Sequence, residues 1–324
     1  MQAFEYANPM TVKDAVALLG ASWTDANVLA GGTDQLSLMK DYIHTPKRLV
    51  NIKNIKELAG IRKAGGNLRI GATVTLDELI DNREVRMAFP SLVSAARGVG
   101  SPQIKNMGTV GGDLCQRPRC WYFRNGFGLL AQKNGRSLVD DGQNEFHAIF
   151  SQGPAKFVSA SSLAPALAAL GATVTIAGPN GTRSVDVASF FVAPSSDQQR
   201  EVDLKPNEIV TQVLVPMSGA KNASYEVRLK DGLDWPYAAA AVALRMKGST
   251  VESARVVLGH VGPTPVVAEG AASALAGKSI TEEVAAQAGE SAVQGAHPLS
   301  GNAYKVQLAK TAVKRALMEA VKRA

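Results

Sequence analysis

The stretch Ala30-Gly31-Gly32-Thr33-Asp34 decides how the chain is read. It directly follows the apolar run Val28-Leu29-Ala30 and precedes a second apolar stretch, Leu36 to Met39, so a strand ends and a helical segment begins around a glycine pair. Two adjacent glycines admit positive φ and close approach to a ligand, and successive N–H groups in such a turn form a concave nest of donors suited to phosphate. Thr33 adds a hydroxyl. The design recurs at Gly108-Thr109-Val110-Gly111-Gly112-Asp113, and two such hairpin-like loops are expected to grip one pyrophosphate from two sides. Either loop alone is also an ordinary turn, because Gly and Asp are standard turn residues. The repeated order of apolar segment, glycine pair and acid sets them apart. Neither fits a loop ending in Gly-Lys-Ser/Thr or the spaced Gly-x-Gly-x-x-Gly, so a nucleotide here is held without a Walker lysine.

The chain has 324 residues, 46% of them hydrophobic and 19% charged, which suits a globular protein with two or three cores rather than a disordered one. Its net charge of +7 is diffuse. The densest basic group, Lys310, Lys314, Arg315, Lys322 and Arg323, is spaced as the wet side of a helix and has no interleaved aromatics, so nucleic acid is not an expected partner. No stretch approaches the roughly 20 apolar residues needed to cross a bilayer. The start, with Phe4-Glu5-Tyr6, carries no export pattern. A cytoplasmic location is expected, with the periplasm open only through co-export with a partner. Two cysteines, Cys115 and Cys120, exclude a disulfide scaffold and cannot by themselves assemble a four-thiolate iron–sulfur or zinc site.

Residues 4–60 read as strand, helix, strand, loop, strand. Thr11 caps a helix whose apolar stripe is Val12, Ala15, Val16, Leu18 and Leu19, and Leu49 to Ile52 is a further strand. A second block opens with the strand Leu68–Ala72, a helix capped by Thr75, and a helix from Phe89 with Pro90 in its first turn. It closes with Leu163 to Leu170, Ala172 to Ile176 and a hairpin turn at Pro179-Asn180-Gly181. Residues 116–150, with four arginines, Trp121, Tyr122 and Phe123, show little periodicity, as expected of a functional or mobile excursion. From about Glu208 the pattern predicts an antiparallel meander over Ile209–Val215, Tyr225–Leu229, Ala238–Met246 and Ala254–His260. Three helices follow near 266–275, 281–293 and 302–322, which suggests a separate α+β domain.

Five motifs in this order, Leu29 to Asp34, Ile70-Gly71-Ala72-Thr73, Gly108 to Asp113, Leu163-Ala164-Pro165-Ala166-Leu167 and Gly259 to Pro265, make the chain resemble the FAD-binding (medium) subunits of the xanthine dehydrogenase and carbon monoxide dehydrogenase family of molybdenum hydroxylases. The match runs from end to end. The resemblance implies an α+β fold. A PCMH-type FAD-binding domain of two α+β subdomains, residues 1–57 and 58–215 with an irregular insert at about 115–150, is followed by a flavoprotein C-terminal domain over 216–324. It further implies non-covalent FAD, a molybdopterin-binding large subunit and a [2Fe-2S] small subunit as partners, and transfer of electrons from those clusters through FAD to a final acceptor. On this resemblance Val28, Leu29, Ala30, Gly31, Gly32, Thr33, Asp34 and Gln35 take one side of the dinucleotide, and Thr109, Gly111, Gly112 and Asp113 the other. Asp34 and Asp113 are expected to bond loop amides or a sugar hydroxyl, since phosphate would repel them.

Three departures from the family pattern stand out. Ser162 replaces the usual Asp before Leu-Ala-Pro and offers a weaker, neutral hydrogen bond to the nucleotide. Tyr225-Glu226 stands where many relatives have an aromatic residue followed by Lys, so Arg228 and Lys230 are the expected cations near the flavin. The segment from Gln116 to Ile149 is similar to the insert of the aldehyde-oxidoreductase branch, where related subunits bind a [4Fe-4S] cluster, but only Cys120 falls on a ligand position, and no cluster is expected here. Arg117, Arg119 and Arg124 suggest an interface patch, and Trp235-Pro236-Tyr237 a flavin-pocket wall or a simple strand-entry turn. Trp121, Tyr122 and Phe123 fit flavin shielding, partner contact or core packing. His44, His147, His260 and His297 make no metal spacing. Two alternatives remain on sequence grounds, a flavin-free structural subunit and a stand-alone PCMH-fold flavin oxidase, though no substrate base is identifiable for the second.

Overall fold

The computed structural model describes residues 1–230 and 234–322; Arg323 of the C-terminal basic group lies outside them. The N-terminal unit runs β1 (Glu5–Ala7), α1 (Val12–Leu18), β2 (Ala26–Leu29), α2 (Gln35–Lys40) and β3 (Arg48–Asn51), with the strands in one parallel sheet ordered β1-β3-β2. Thr11 caps α1, its hydroxyl accepting from the Asp14 amide. Because β3 lies between β1 and β2, the β2–α2 turn opens at a carboxyl edge of the sheet, where ligands of α/β units bind.

The second unit is built on a five-stranded antiparallel sheet, β4 (Ile61–Ala64), β5 (Asn67–Gly71), β8 (Thr173–Gly178), β9 (Gly181–Asp186) and β10 (Ile209–Pro216), in the order β4-β5-β10-β8-β9. Between β5 and β8 come α3 (Leu76–Asp81), α4 (Arg83–Ala88), α5 (Pro90–Gly98), α6 (Pro102–Met107), α7 (Val110–Cys115), α8 (Trp121–Arg124), the two-residue strands β6 (Gln132–Lys133) and β7 (Arg136–Ser137), and α9 (Leu163–Ala169). The short α10 (Val187–Phe190) lies between β9 and β10. Thr75 opens α3 with a reciprocal capping box to Glu78. Every side chain of α9 is buried. The pattern's placement of Ile209–Val215 in the C-terminal meander, which the expected 58–215 boundary did not share, is corrected here: β10 pairs with β5 and β8. An apolar strand fits either sheet by pattern, and the pairing partner, which is nonlocal, decides.

The C-terminal unit has β11 (Lys221–Val227), β12 (Ala238–Lys247), β13 (Thr250–Gly259) and β14 (Val266–Val267) in one antiparallel sheet, followed by α11 (Glu269–Leu275), α12 (Glu282–Ala292) and α13 (Tyr304–Lys322). In β12 the run Ala238 to Leu244 is buried on both faces. Helix α13 packs on β11 and β12, while α5 lies on β11 and α9 on β12 and β13. Small side chains let both helical layers approach closely, so this strand lacks the alternation of a half-wet sheet. The α13 stripe Ala309, Ala312, Val313, Ala316, Leu317 and Ala320 is buried. Beside the stripe, Lys310 pairs with Glu290 and Lys314 with Glu282 of the neighbouring α12, while Arg315 and Lys322 are exposed.

The end of the irregular insert is stitched to the start of α13. Asn302 donates to the carbonyls of His147 and Ala148, the Gly301 amide to Asn144 Oδ1 at 2.8 Å, and Tyr304 to the Glu145 carbonyl at 2.9 Å. The buried Lys305 ammonium donates to the carbonyls of Phe146, His147 and His260 at 3.2, 3.0 and 2.8 Å.

Candidate functional site: a cofactor cleft between the glycine loops

The two glycine loops meet. A Cβ on Gly31 would lie 1.8 Å from the Met107 carbonyl oxygen, so the first loop rests directly on the chain entering the second, and only glycine permits it. Gly32 adopts φ +72°. Lys53 Nζ donates to the Ala30 carbonyl at 3.1 Å. Among the described residues, none of the amides of Gly31, Gly32, Thr33, Asp34 and Gln35 has an acceptor within the protein. Five consecutive donors without partners form the nest expected of this loop.

The second loop differs from the expected hairpin. It is the first turn of α7, with Thr109 as N-cap accepting from the Gly112 amide at 3.0 Å. The amides of Val110 and Gly111 go to the carbonyls of Val74 and Ala72, both at 2.9 Å, and that of Asp113 to the Thr109 carbonyl at 2.8 Å. What this loop retains for a ligand is the Thr109 amide and the Thr109 hydroxyl hydrogen.

The two acids serve different structural ends. Asp113, 6% exposed, accepts from Ser161 Oγ at 2.5 Å, from the amides of Leu163 and Ser162, and from Gln116 Nε2. It fixes the start of α9 to α7; burial pushes its carboxyl up and these four donors oppose the shift. Asp34 instead holds the insert: it accepts from the Arg117 amide at 2.9 Å and Arg124 Nη2 at 2.8 Å, with Arg119 Nη2 at 3.3 Å. Arg117 also pairs with the buried Glu201 at 2.5 Å. These arginines therefore turn inward rather than forming an interface patch, because the half-buried Asp34 and the buried Glu201 supply countercharges distant in sequence.

Next to Asp34, Arg117 Nη1 donates to His44 Nε2 at 2.8 Å, so His44 carries its proton on Nδ1 and directs it to Gln35 Oε1 at 3.2 Å. Burial, aided by Arg117, pushes His44 down to about 2, so it is neutral. Gln35 Nε2 is thereby left buried without a partner, in a residue that lines the first cavity.

Two cavities flank the loops. The first, about 150 Å³, lies between the parallel sheet and the second unit; the other, about 340 Å³, reaches the C-terminal unit. Thr33, Asp34, Thr109, Gly112 and Gln116 line both, forming a shared neck. Of the residues singled out from sequence, Val28, Ala30, Gly31, Gly32, Gln35 and Gly111 line the first cavity, and Asp113, Ser162 and Arg228 the second. Leu29 and Lys230 line neither: Leu29 packs with Met39 and Leu49, and Lys230 is exposed. Arg228 is ion-paired with Glu226 and donates to the Asp234 carbonyl at 2.8 Å, so its charge is largely compensated. Trp235 and Pro236 line the second cavity, which makes them a pocket wall.

The sequence reading missed Arg200 and Trp23. The Arg200 guanidinium stands 4.1 Å from the Trp23 ring centroid, and both line the first cavity. They are far apart in the chain, and no local pattern marks them. A dinucleotide fits this arrangement, since the neck supplies free amides, the Thr33 and Thr109 hydroxyls and Gln35 Nε2, and a cavity opens on each side. The two thiols of the insert are separate, Cys115 packing against the main core and pushed up to about 12 by burial, Cys120 facing His147 Nε2 at 3.2 Å. Among the described residues no three His, Cys, Asp or Glu side chains converge as metal ligands. The insert's own hairpin, β6–β7, turns at Asn134-Gly135 with φ +52° and +73°. That Asn-Gly pair is a turn signal legible in sequence.

The family described as the FAD binding domain in molybdopterin dehydrogenase matches residues 2–218, and the CO dehydrogenase flavoprotein C-terminal domain matches residues 223–320. The carbon monoxide dehydrogenase medium chain of Hydrogenophaga pseudoflava is 34% identical over 97% of this chain and 96% of its own length. The aldehyde oxidoreductase FAD-binding subunit PaoB of Escherichia coli is 31% identical over 99% of both. Among solved structures, a carbon monoxide dehydrogenase from Hydrogenophaga pseudoflava superposes with a TM-score of 0.78 at 32% identity, covering 100% of this chain and 99% of that one. With both halves of the family matched in order and the glycine loops closing one cleft, the chain belongs to the FAD-binding medium subunits of the molybdenum hydroxylases.

Proposed function

We propose that the chain binds one FAD non-covalently across the neck and works as the electron-transfer subunit of a molybdenum-containing hydroxylase or dehydrogenase. It would take electrons from a [2Fe-2S] small subunit, itself fed by a molybdopterin-binding large subunit. The observation that carries this reading is the run of five unpartnered amides from Gly31 to Gln35 at the junction of two cavities. A pyrophosphate there gains charge-assisted hydrogen bonds of roughly 1.5–3 kcal/mol each, so several together hold it tightly. The wider cavity, walled by Trp235 and lined by Ser162 and Arg228, is assigned to the flavin ring, and the narrower one, with Trp23 and Arg200, to the adenine end.

When bound, FAD accepts electrons singly and releases them in pairs, and the protein contributes position and electrostatics. The five amides and Thr109 hold the diphosphate. Gln35 Nε2, aimed by His44, adds a donor. The Arg228–Glu226 pair sets the local charge beside the ring, and Trp235 keeps water from one side. No residue of this chain is assigned acid–base catalysis.

The test is flavin content and reconstitution. The purified chain is expected to carry or take up one FAD with the yellow flavin absorbance, and to co-purify with molybdopterin and [2Fe-2S] subunits when these are co-expressed. A chain that neither carries nor takes up flavin would support a structural subunit instead, and turnover of a small substrate with oxygen by the chain alone would support a stand-alone oxidase.

A further inference from the structure

Arg200 is a cation whose charge nothing in the chain answers. Among the described residues it makes no hydrogen bond and no ion pair. Of its three guanidinium nitrogens only Nε is fully covered by protein, and the side chain lines the first cavity. The two carboxylates whose charge reaches it, Glu201 and Asp34, are committed elsewhere. Glu201 pairs with Arg117 at 2.5 Å, and Asp34 takes the Arg117 amide, Arg119 and Arg124. Burial, aided by the Arg117 charge, pushes Arg200 down to about 10, so it is still a cation at neutral pH. A buried charge without a countercharge is costly, and its retention beside the cofactor neck points to a ligand that meets it.

Its place is fixed from both sides. Asp197, three residues earlier, accepts from the Leu130 amide at 2.7 Å, and the carbonyl of Glu201, the next residue, accepts from the Val192 amide at 2.9 Å. Beneath the guanidinium, Trp23 is held by Asn27, whose Nδ2 donates to the Trp23 carbonyl at 2.9 Å. The separation of 4.1 Å between the guanidinium carbon and the indole centroid is a close cation–π contact. Much of the remaining wall is apolar, with Leu19, Val28, Leu204 and Val210. One planar cation over an indole within apolar walls suits a flat heteroaromatic ring that carries acceptor nitrogens. A phosphate group needs several donors at once, and the Gly31–Gln35 amides supply those at the neck.

We propose that Arg200, seated on Trp23, is the specificity-determining residue that makes this chain select a flavin dinucleotide over a flavin mononucleotide, its guanidinium serving as the platform for the adenine ring. The proposal rests on the assignment of FAD to the neck. Guanidinium planes and aromatic rings are the surfaces on which bases stack, and such contacts read the face of the base rather than its edge. The diphosphate of the same ligand brings negative charge to the neck beside the cavity and offsets the cation. FMN brings the same flavin ring and a phosphate but no base, so it leaves Arg200 unanswered.

The test titrates the full-length chain, freed of flavin, with FAD and with FMN, followed by flavin fluorescence, and with AMP, which carries the base without the flavin, by calorimetry. Arg200→Met keeps the length of the side chain and removes the planar cation. It is expected to weaken FAD and AMP about tenfold or more, and FMN by less than about twofold. Arg200→Lys restores the charge without the plane and should recover only part of the loss; full recovery would show charge alone at work and overturn the platform. If Arg200→Met does not fold, Trp23→Leu carries the test with the same expected split. If FMN binds too weakly to titrate, the AMP titration decides. Equal losses for FAD and FMN, or variants that bind FAD and AMP as tightly as the parent, would overturn the proposal. A parent chain that takes up neither flavin would instead overturn the FAD assignment and this inference with it, so the two failures are told apart.

Discussion

The two glycine loops share an order of residues and diverge in what they do with it. In the first, Gly31 to Gln35 keep all five amides unspent, and the geometry is held from outside: Gly31 against Met107, Asp34 by Arg117, Arg119 and Arg124, Gln35 by His44. In the second, Val110 to Asp113 satisfy one another and β5's exit, and Asp113 is the anchor rather than the anchored. A nest that leaves donors free must be supported by neighbours, whereas a capped helical turn supports itself. Ligand affinity should therefore concentrate in the first loop, and local stability in the second.

Acid should separate them most sharply. His44, His147 and His260 are neutral in the folded chain, held at about 2, 4 and 3 by burial against an unfolded value near 6.5. The unfolded chain therefore takes up protons that the folded one refuses. The stability from these histidines is complete about a pH unit above 6.5 and falls below that, approaching about 1.4 kcal/mol per pH unit for each, or about 5 kcal/mol for the three between pH 6.5 and 5. His44 lies in the first loop's support, His147 in the insert behind it, and His260 at the end of β13 beside that insert. Flavin release and unfolding, followed by flavin fluorescence and circular dichroism, should accelerate across that window, and an unchanged midpoint would argue against neutral burial.

Gly31→Ala comes next. Its Cβ cannot coexist with the Met107 carbonyl, the loop must move, and the loss of two or more charge-assisted bonds should weaken FAD binding about 100-fold or more by equilibrium titration. Gly112→Ala is the contrast, since its Cβ approaches only Thr109 Oγ1, at 2.9 Å. Equal losses at both positions would erase the proposed asymmetry. Asp34→Asn leaves Arg119 and Arg124 without their countercharge, and should cost about 3 kcal/mol in urea unfolding together with reduced flavin content. Thr109→Ala removes an N-cap and one hydroxyl donor toward the ligand, and should cost about 1 kcal/mol of stability with a modest loss of flavin affinity. Thr109→Ser should restore it.

What the sequence disclosed was mostly local. Thr11, Thr75 and Pro90 act within a few residues of themselves and could be placed from spacing alone. The run Ala238 to Leu244 was placed as a strand, but nothing in it announces that both its faces are covered. Ile209–Val215 was assigned to the wrong sheet because its pattern is compatible with either, and the choice lies in β5 and β8, distant in sequence. The second glycine loop was expected as a nest because Gly-Gly suggests one, yet Thr109 three residues before Gly112 is equally a helix cap, and tertiary contacts to Ala72 and Val74 selected that reading. The inward turn of Arg117 and Arg124 was invisible for the same reason: their countercharges, Asp34 and Glu201, lie more than 80 residues away in each direction. Arg200 over Trp23 has no sequence signature at all.

The stitching of Asn144–Ala148 to Gly301–Lys305 also orders events at the ribosome. The insert that clamps the first glycine loop is completed by residues made about 150 positions after it, so a nascent chain emerging from the exit tunnel has its N-terminal sheet long before it has the strut behind the cofactor cleft. Loading of FAD should follow synthesis of residues 301–305, and shortened transcripts ending before residue 300 would be expected to yield N-terminal fragments that stay colourless.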